Sequence, residues 1–176
     1  MFLRGSLLSL AVSCGSVVSA DAQEAAKFLL YAGAGQAIDS ENLTDDNIPY
    51  AIGGLVMSPA SGLVLGADIA GEGEMFDSTG GGNRIRQALS YNLLIGGNVY
   101  DDQSIRADAM LLLGARESVS DCPDSYLGFQ CYADTDPDTQ YDFNYGAMFA
   151  VTFGEAASLG VRMTGESAQL TLGFMF

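Results

Sequence analysis

Histidine and tryptophan are absent from this 176-residue chain, and lysine and arginine together number only 7. Each shortage excludes something. Without histidine there is no His-based triad and no His-ligated metal. With 22 acids against those 7 bases the formal charge is −15, which opposes the phosphates of nucleic acid. Charged residues make up 16% of the chain, against roughly a quarter in ordinary globular proteins. That is too few for a strongly acidic disordered chain, and it implies that much of the surface avoids water. None of the 3 cysteines lies in a CxxC pair, so a redox motif or zinc knuckle is not expected. At this length one domain is expected.

What is present begins with an export signal over residues 1–22. Arg4 supplies a positive start, Leu7 to Val18 a mostly apolar stretch, and Ala20-Asp21-Ala22 a small-x-small cleavage site. Cleavage is placed after Ala22, with Ala20 as the alternative. Glycine and serine interrupt the run and disfavour a buried helix, and Ala11-Val12-Ser13 is a poor lipidation box for Cys14. Removing the signal takes one base, Arg4, and one acid, Asp21, so the charge of the remainder, residues 23–176, is unchanged. Cys122 and Cys131 then remain in one polar segment. In an oxidising compartment they are expected to bridge, closing a loop of about ten residues for ~2–3 kcal/mol; the alternative is two reduced thiols.

The remainder has no apolar run of the ~20 residues a spanning helix needs. It has two-residue alternation instead, which predicts strands. At the C-terminus Ala168, Leu170, Leu172, Phe174 and Phe176 share one face, opposite Gln169, Thr171, Gly173 and Met175. Similar patterns recur around 27–37, 48–57, 63–70, 84–96, 105–114, 141–153 and 158–164, giving eight strands. Longer polar connections (38–47, 73–83, 117–140) alternate with tight turns (58–61, 100–102, 154–156), the layout of an up-and-down meander of hairpins. The one exception is the short Gly165-Glu166-Ser167 connection.

Alternation alone does not separate a membrane barrel from a soluble one; composition does. A solvated face should be rich in lysine and glutamate, yet residues 23–176 hold a single lysine, Lys27. The less apolar face carries glycine, serine and asparagine, suited to the cramped interior of an eight-stranded barrel. All five arginines after the signal (Arg84, Arg86, Arg106, Arg116, Arg162) fall on that face. An arginine facing mid-bilayer lipid costs roughly 2–4 kcal/mol, whereas one turned inward can pair with Asp68, Glu72, Asp108 or Asp142. The expected lumen charge network is therefore Asp68, Arg86, Arg106, Asp108, Asp142 and Arg162. The aromatics Tyr100, Tyr141, Tyr145, Phe153 and Phe176 fit two interfacial girdles.

The stretch Ser167 to Phe176, an alternating strand ending in phenylalanine, resembles the C-terminal assembly signal of bacterial outer-membrane barrels, carried by Phe174 and Phe176. The layout of residues 27–176 resembles the small eight-stranded family that includes the membrane domain of outer membrane protein A and outer membrane protein X. The resemblance implies an all-β, eight-stranded antiparallel up-and-down transmembrane β-barrel in the cell outer membrane of a Gram-negative bacterium. It further implies membrane lipid and lipopolysaccharide as surroundings, assembly by the barrel-insertion machinery, and a monomer.

Enzymes among small outer-membrane barrels rely on histidine, so no catalytic residue is expected. No cofactor or metal is expected either. Asp134-Thr135-Asp136-Pro137-Asp138 lacks the glycine turn and terminal glutamate of a calcium loop, and Thr79-Gly80-Gly81-Gly82-Asn83 lacks the ending of a phosphate-binding loop. The expectation is a structural or surface-interaction protein displaying acidic loops (Asp39, Glu41, Asp45, Asp46; Glu117, Asp121, Asp124, Asp134, Asp136, Asp138). The alternatives are an exported soluble lipocalin-like barrel with an apolar ligand, and a narrow channel.

Overall fold

The computed structural model describes residues 26–38, 48–77, 84–102, 104–121, 138–154 and 156–176. The expected signal, the Cys122–Cys131 pair, the glycine-rich segment 79–83 and most of the acidic run 134–138 lie outside the described residues. The elements are β1 (Lys27–Ala37), β2 (Tyr50–Met57), β3 (Leu63–Asp77), β4 (Arg84–Asp101), β5 (Ile105–Asp121), β6 (Asp138–Phe153), β7 (Ala157–Thr164) and β8 (Ser167–Met175).

Each strand pairs antiparallel with the next, and β8 returns to β1, so the sheet closes into an eight-stranded barrel without edges. The closing seam runs from Leu29 opposite Met175 to Ala37 opposite Ser167. Phe28 and Phe176 extend it by exchanging backbone hydrogen bonds of 3.2 and 2.7 Å. Tight turns join β2 to β3, β4 to β5 and β6 to β7 at one end, called the turn end here. Gly62 (φ 68°) and Gly154 (φ 59°) occupy left-handed conformations in two of them, where a Cβ would be strained.

Strands β1, β2, β7 and β8 have 8 to 11 residues, about the length that crosses a bilayer core at barrel tilt. Strands β3 to β6 have 15 to 18 and run past their neighbours at the other, loop end. There β3 and β5 pair directly in parallel, Phe76 with Val119 and Asp77 with Ser120, tying the projecting β3–β4 hairpin onto β5.

Two connections are thus shorter than the sequence reading expected. Residues 73–77 and 117–121 are strand rather than loop. In each case a bulge interrupts the alternation, between Gly71 and Glu74 on β3 and between Glu117 and Val119 on β5. A bulge adds one residue and swaps the two faces, so a strand that continues reads locally as a strand that stops. Gly73, at φ 71°, supplies the turn of the first bulge, after which Met75 is buried and Phe76 exposed.

Inner-face glycines let neighbouring strands pack against the narrow lumen. A Cβ on Gly96 would collide with the backbone of Ala109 and Met110, and one on Gly146 with the carbonyl of Met163.

Candidate functional site

The outer surface comes first, because it fixes the solvent. Leu30, Ile52, Leu65, Leu93, Leu111, Phe149, Val161 and Leu172 are exposed, so every strand turns large apolar side chains outward. Such a belt is an aggregation liability in water and a lipid-facing surface in a bilayer. Aromatics gather toward the ends of strands: Tyr141, Phe143 and Tyr145 on the loop side of β6, with Phe143 and Tyr145 stacked at 6.0 Å, and Tyr100, Phe153, Phe174 and Phe176 on the turn side. Phe174 and Phe176, the expected assembly signal, are outward and exposed.

The lumen is filled by side chains in layers. Its middle is apolar: Leu29, Leu55, Met57, Val64, Leu94, Met110, Leu112 and Met148 are buried together. Toward the loop end lies an ionic cluster. Arg162 on β7 is 0% exposed and forks between two carboxylates of β3. Its Nε donates to Asp68 Oδ2 at 2.8 Å, its Nη1 to Glu72 Oε2 at 2.8 Å, and its Nη2 reaches both residues at 3.3 and 3.1 Å. Two acids thus share one cation, and neutral donors hold the surplus charge. Tyr31 (2.8 Å) and Asn92 (2.7 Å) donate to Asp68. Ser90 (2.7 Å), Asn144 (3.0 Å), Thr164 (2.8 Å) and Ser167 (2.6 Å) donate to Glu72.

The donors come from β1, β4, β6, β7 and β8 and converge on β3, so the cluster spans the lumen. A one-residue slip of any of these strands would turn its donor outward. Its chemistry is that of a saturated charge cluster: both carboxylates and the guanidinium are engaged, and Glu72 and Arg162 are fully buried.

A second ion pair sits at the turn end. Arg106 Nε donates to both oxygens of Asp108 at 3.0 Å, and its Nη1 lies 3.5 Å from Asp101. Asn98 also donates to Asp108, at 3.2 Å. Beside this pair opens a cavity of about 470 Å³, lined by Lys27, Asp101, Asp102, Ser104, Arg106 and Thr152.

Of the six residues expected in the lumen network, the structure gathers four in two separate groups: Asp68 with Arg162, and Arg106 with Asp108. The other two stand elsewhere. Arg86 is half-exposed at the loop end, 2.8 Å from Glu117, while Asp142 is exposed and registers opposite Arg116 on the projecting part of β6. Both lie on strands that outrun the barrel wall, where facing inward no longer means being enclosed. Glu117, expected among the loop acids, is instead buried and also accepts the Leu89 N–H at 3.0 Å. Arg84 pairs with Glu74 at 3.3 Å and Arg116 with Glu166 at 3.1 Å. Sequence reasoning missed the depth of the apolar layer and the polar ring around Glu72. The inward positions of Leu112, Ser90 and Ser167 were the available signal.

No protein-family model and no curated protein sequence matches the chain. Among solved structures it is similar to the Yersinia pestis outer membrane protein Ail in a phospholipid bilayer nanodisc, with a TM-score of 0.45 and 12% identity over 86% of this chain and 98% of that one. A crystal structure of Ail with the heparin analogue sucrose octasulfate gives a TM-score of 0.42 and 10% identity over 86% and 97%. By its own strand number, closure and outward-facing apolar residues, the chain is a small eight-stranded antiparallel barrel of the outer-membrane type.

Proposed function

We propose that this protein is a monomeric barrel of the bacterial outer membrane whose role is structural or interactive: a plugged membrane anchor that displays acidic loops at the cell surface. The carrying observation is the inverted polarity. Large apolar side chains cover the outside, while Arg162 and Asp108 are 0% exposed inside. A soluble lipocalin-like barrel needs the opposite arrangement. The apolar layer and the Asp68–Glu72–Arg162 cluster fill the lumen in succession, which favours a plug over a narrow channel. Planar-bilayer recordings that found steady single-channel steps would reject the plug.

The turn end, which carries Phe174 and Phe176, is assigned to the periplasm, where the barrel-insertion machinery would read them. The loop end faces outward, surrounded by lipopolysaccharide, and its acids attract cations or basic partners. We assign the chain no catalytic step. The folded protein should need detergent for extraction and shift on a gel after boiling. Replacing Leu111, 59% exposed at mid-strand, by arginine should cost about 2–4 kcal/mol in a bilayer. No loss of stability on Leu111→Arg, with release of the protein into buffer, would refute the membrane reading. For loop display, deleting residues 122–137 should weaken adhesion of cells to basic surfaces; unchanged adhesion would refute it.

A further inference from the structure

The apolar belt around the barrel is not uniformly convex. Across β4 to β7 it is interrupted by a groove of about 440 Å³. Ala109 on β5 and Ala147 on β6 lie at its floor, small residues diagonal to one another across the ladder. One small residue between bulky neighbours leaves a dent, and two on adjacent strands merge into a groove. Met110 and Met148 also line it although their side chains belong to the lumen layer, so the groove reaches the backbone of the sheet. The exposed side chains of Leu111, Phe149, Val161 and Met163 stand around it.

The lining selects the occupant. Among the described residues no charged or hydrogen-bonding side chain borders the groove, and the strands beneath it are paired in the β4–β5, β5–β6 and β6–β7 ladders. It therefore offers apolar contact without hydrogen bonds, which excludes a polar solute. Its height follows from its neighbours. Met163 is next to the last residue of β7, at the loop end. Exposed Tyr145 stands two residues from Ala147 toward the loops. The groove thus starts just beneath the loop-side aromatics and lies in the outer half of the belt. Two convex barrel walls meet along a line, so a second copy would enter it only with single side chains. An acyl chain can lie along the floor, and the groove is continuous with the belt that acyl chains cover.

We propose that this groove binds one acyl chain of lipopolysaccharide, the lipid of the leaflet at the loop end. The proposal rests on the membrane reading above and on its outward assignment of the loops. A chain in the groove meets protein on its floor and both flanks, whereas a chain on the convex wall meets it on one side only. Dispersion contacts add up with the number of neighbouring atoms, so the seated chain is retained. Lipopolysaccharide carries more chains per headgroup than a phospholipid, and seating one lays others against the flanking wall.

The test uses the full mature barrel folded in non-ionic detergent, with native mass spectrometry counting bound lipid during titration with purified lipopolysaccharide. Phosphatidylethanolamine and deacylated lipopolysaccharide are the comparison probes. The expected result is saturable binding of one lipopolysaccharide per barrel, with both comparison probes about tenfold weaker or worse. Ala147→Leu fills the floor and should weaken binding about tenfold. Ala32→Leu alters an exposed alanine on β1, across the ring from β5, and should leave binding unchanged. Both changes add apolar surface toward lipid, and the gel shift on boiling checks that both barrels fold. Equal binding of phosphatidylethanolamine would make the groove a general lipid contact, and binding of the deacylated form would place recognition on the headgroup. Dimers that disappear in Ala147→Leu would assign the groove to a second copy. Each of these, or unchanged binding in Ala147→Leu, would overturn the proposal. Absence of binding with the need for detergent intact overturns the groove alone; a barrel soluble without detergent overturns the membrane reading beneath it.

Discussion

In the loop half of the lumen one arginine is shared by two acids from a strand across the barrel, and neutral donors from five other strands complete the cluster. In the turn half Arg106 has an acid of its own, two residues along the same strand, and the neighbouring Thr152 hydroxyl has no hydrogen-bond partner among the described residues. The difference is one of sequence distance. Arg162 and Asp68 are 94 residues apart, and their pairing fixes how β3 and β7 face each other. Arg106 and Asp108 are neighbours on one face of β5 in any register, so their pairing constrains nothing across the lumen and leaves the mouth open. A long-range buried pair acts as a pin; a local one forms part of a wall.

The comparison can be broken first at Arg162. Arg162→Leu strands two buried carboxylates and should cost about 3–5 kcal/mol, read as a lower urea midpoint of the folded barrel in lipid vesicles. Combining it with Asp68→Asn and Glu72→Gln should recover much of that loss, since the uncompensated charges are then gone. An unchanged midpoint in the single variant would show that the cluster pins nothing. Arg106→Leu should cost less, about 1–3 kcal/mol, because it strands one carboxylate rather than two and Asn98 still donates to Asp108. Equal losses at both arginines would erase the distinction between pin and wall. The smallest effect belongs to Thr152→Val, which removes a hydroxyl with no partner among the described residues at nearly constant shape and should change stability by no more than about 0.5 kcal/mol. A large destabilisation there would mean that the hydroxyl is bonded within the folded barrel.

Much of the barrel was legible in the chain. The outward set Leu93, Leu111, Phe149, Leu170 and Leu172 follows from period-two alternation, and each of these residues is exposed. Alternation failed where it is physically interrupted: the bulge at Gly73 hid the end of β3, and the one after Glu117 hid the end of β5. It also misjudged Asp142 and Arg86, because direction was read correctly along the strand while the height of the barrel wall was not. Tyr31 gave no signal at all. An inward tyrosine becomes a carboxylate donor only once Asp68 is known to lie within reach, at 2.8 Å.

Between the bulges the sequence alone determined which way the side chains point, and with it the choice between water and lipid outside, since side-chain direction in a regular strand is a local property that flips with every residue. Only the tertiary structure decided which inward groups meet. That depends on the stagger between strands accumulated around a closed ring, and it brought Glu72 to Arg162 and Ser167 while leaving Arg106 with the acids of its own end, Asp101 and Asp108.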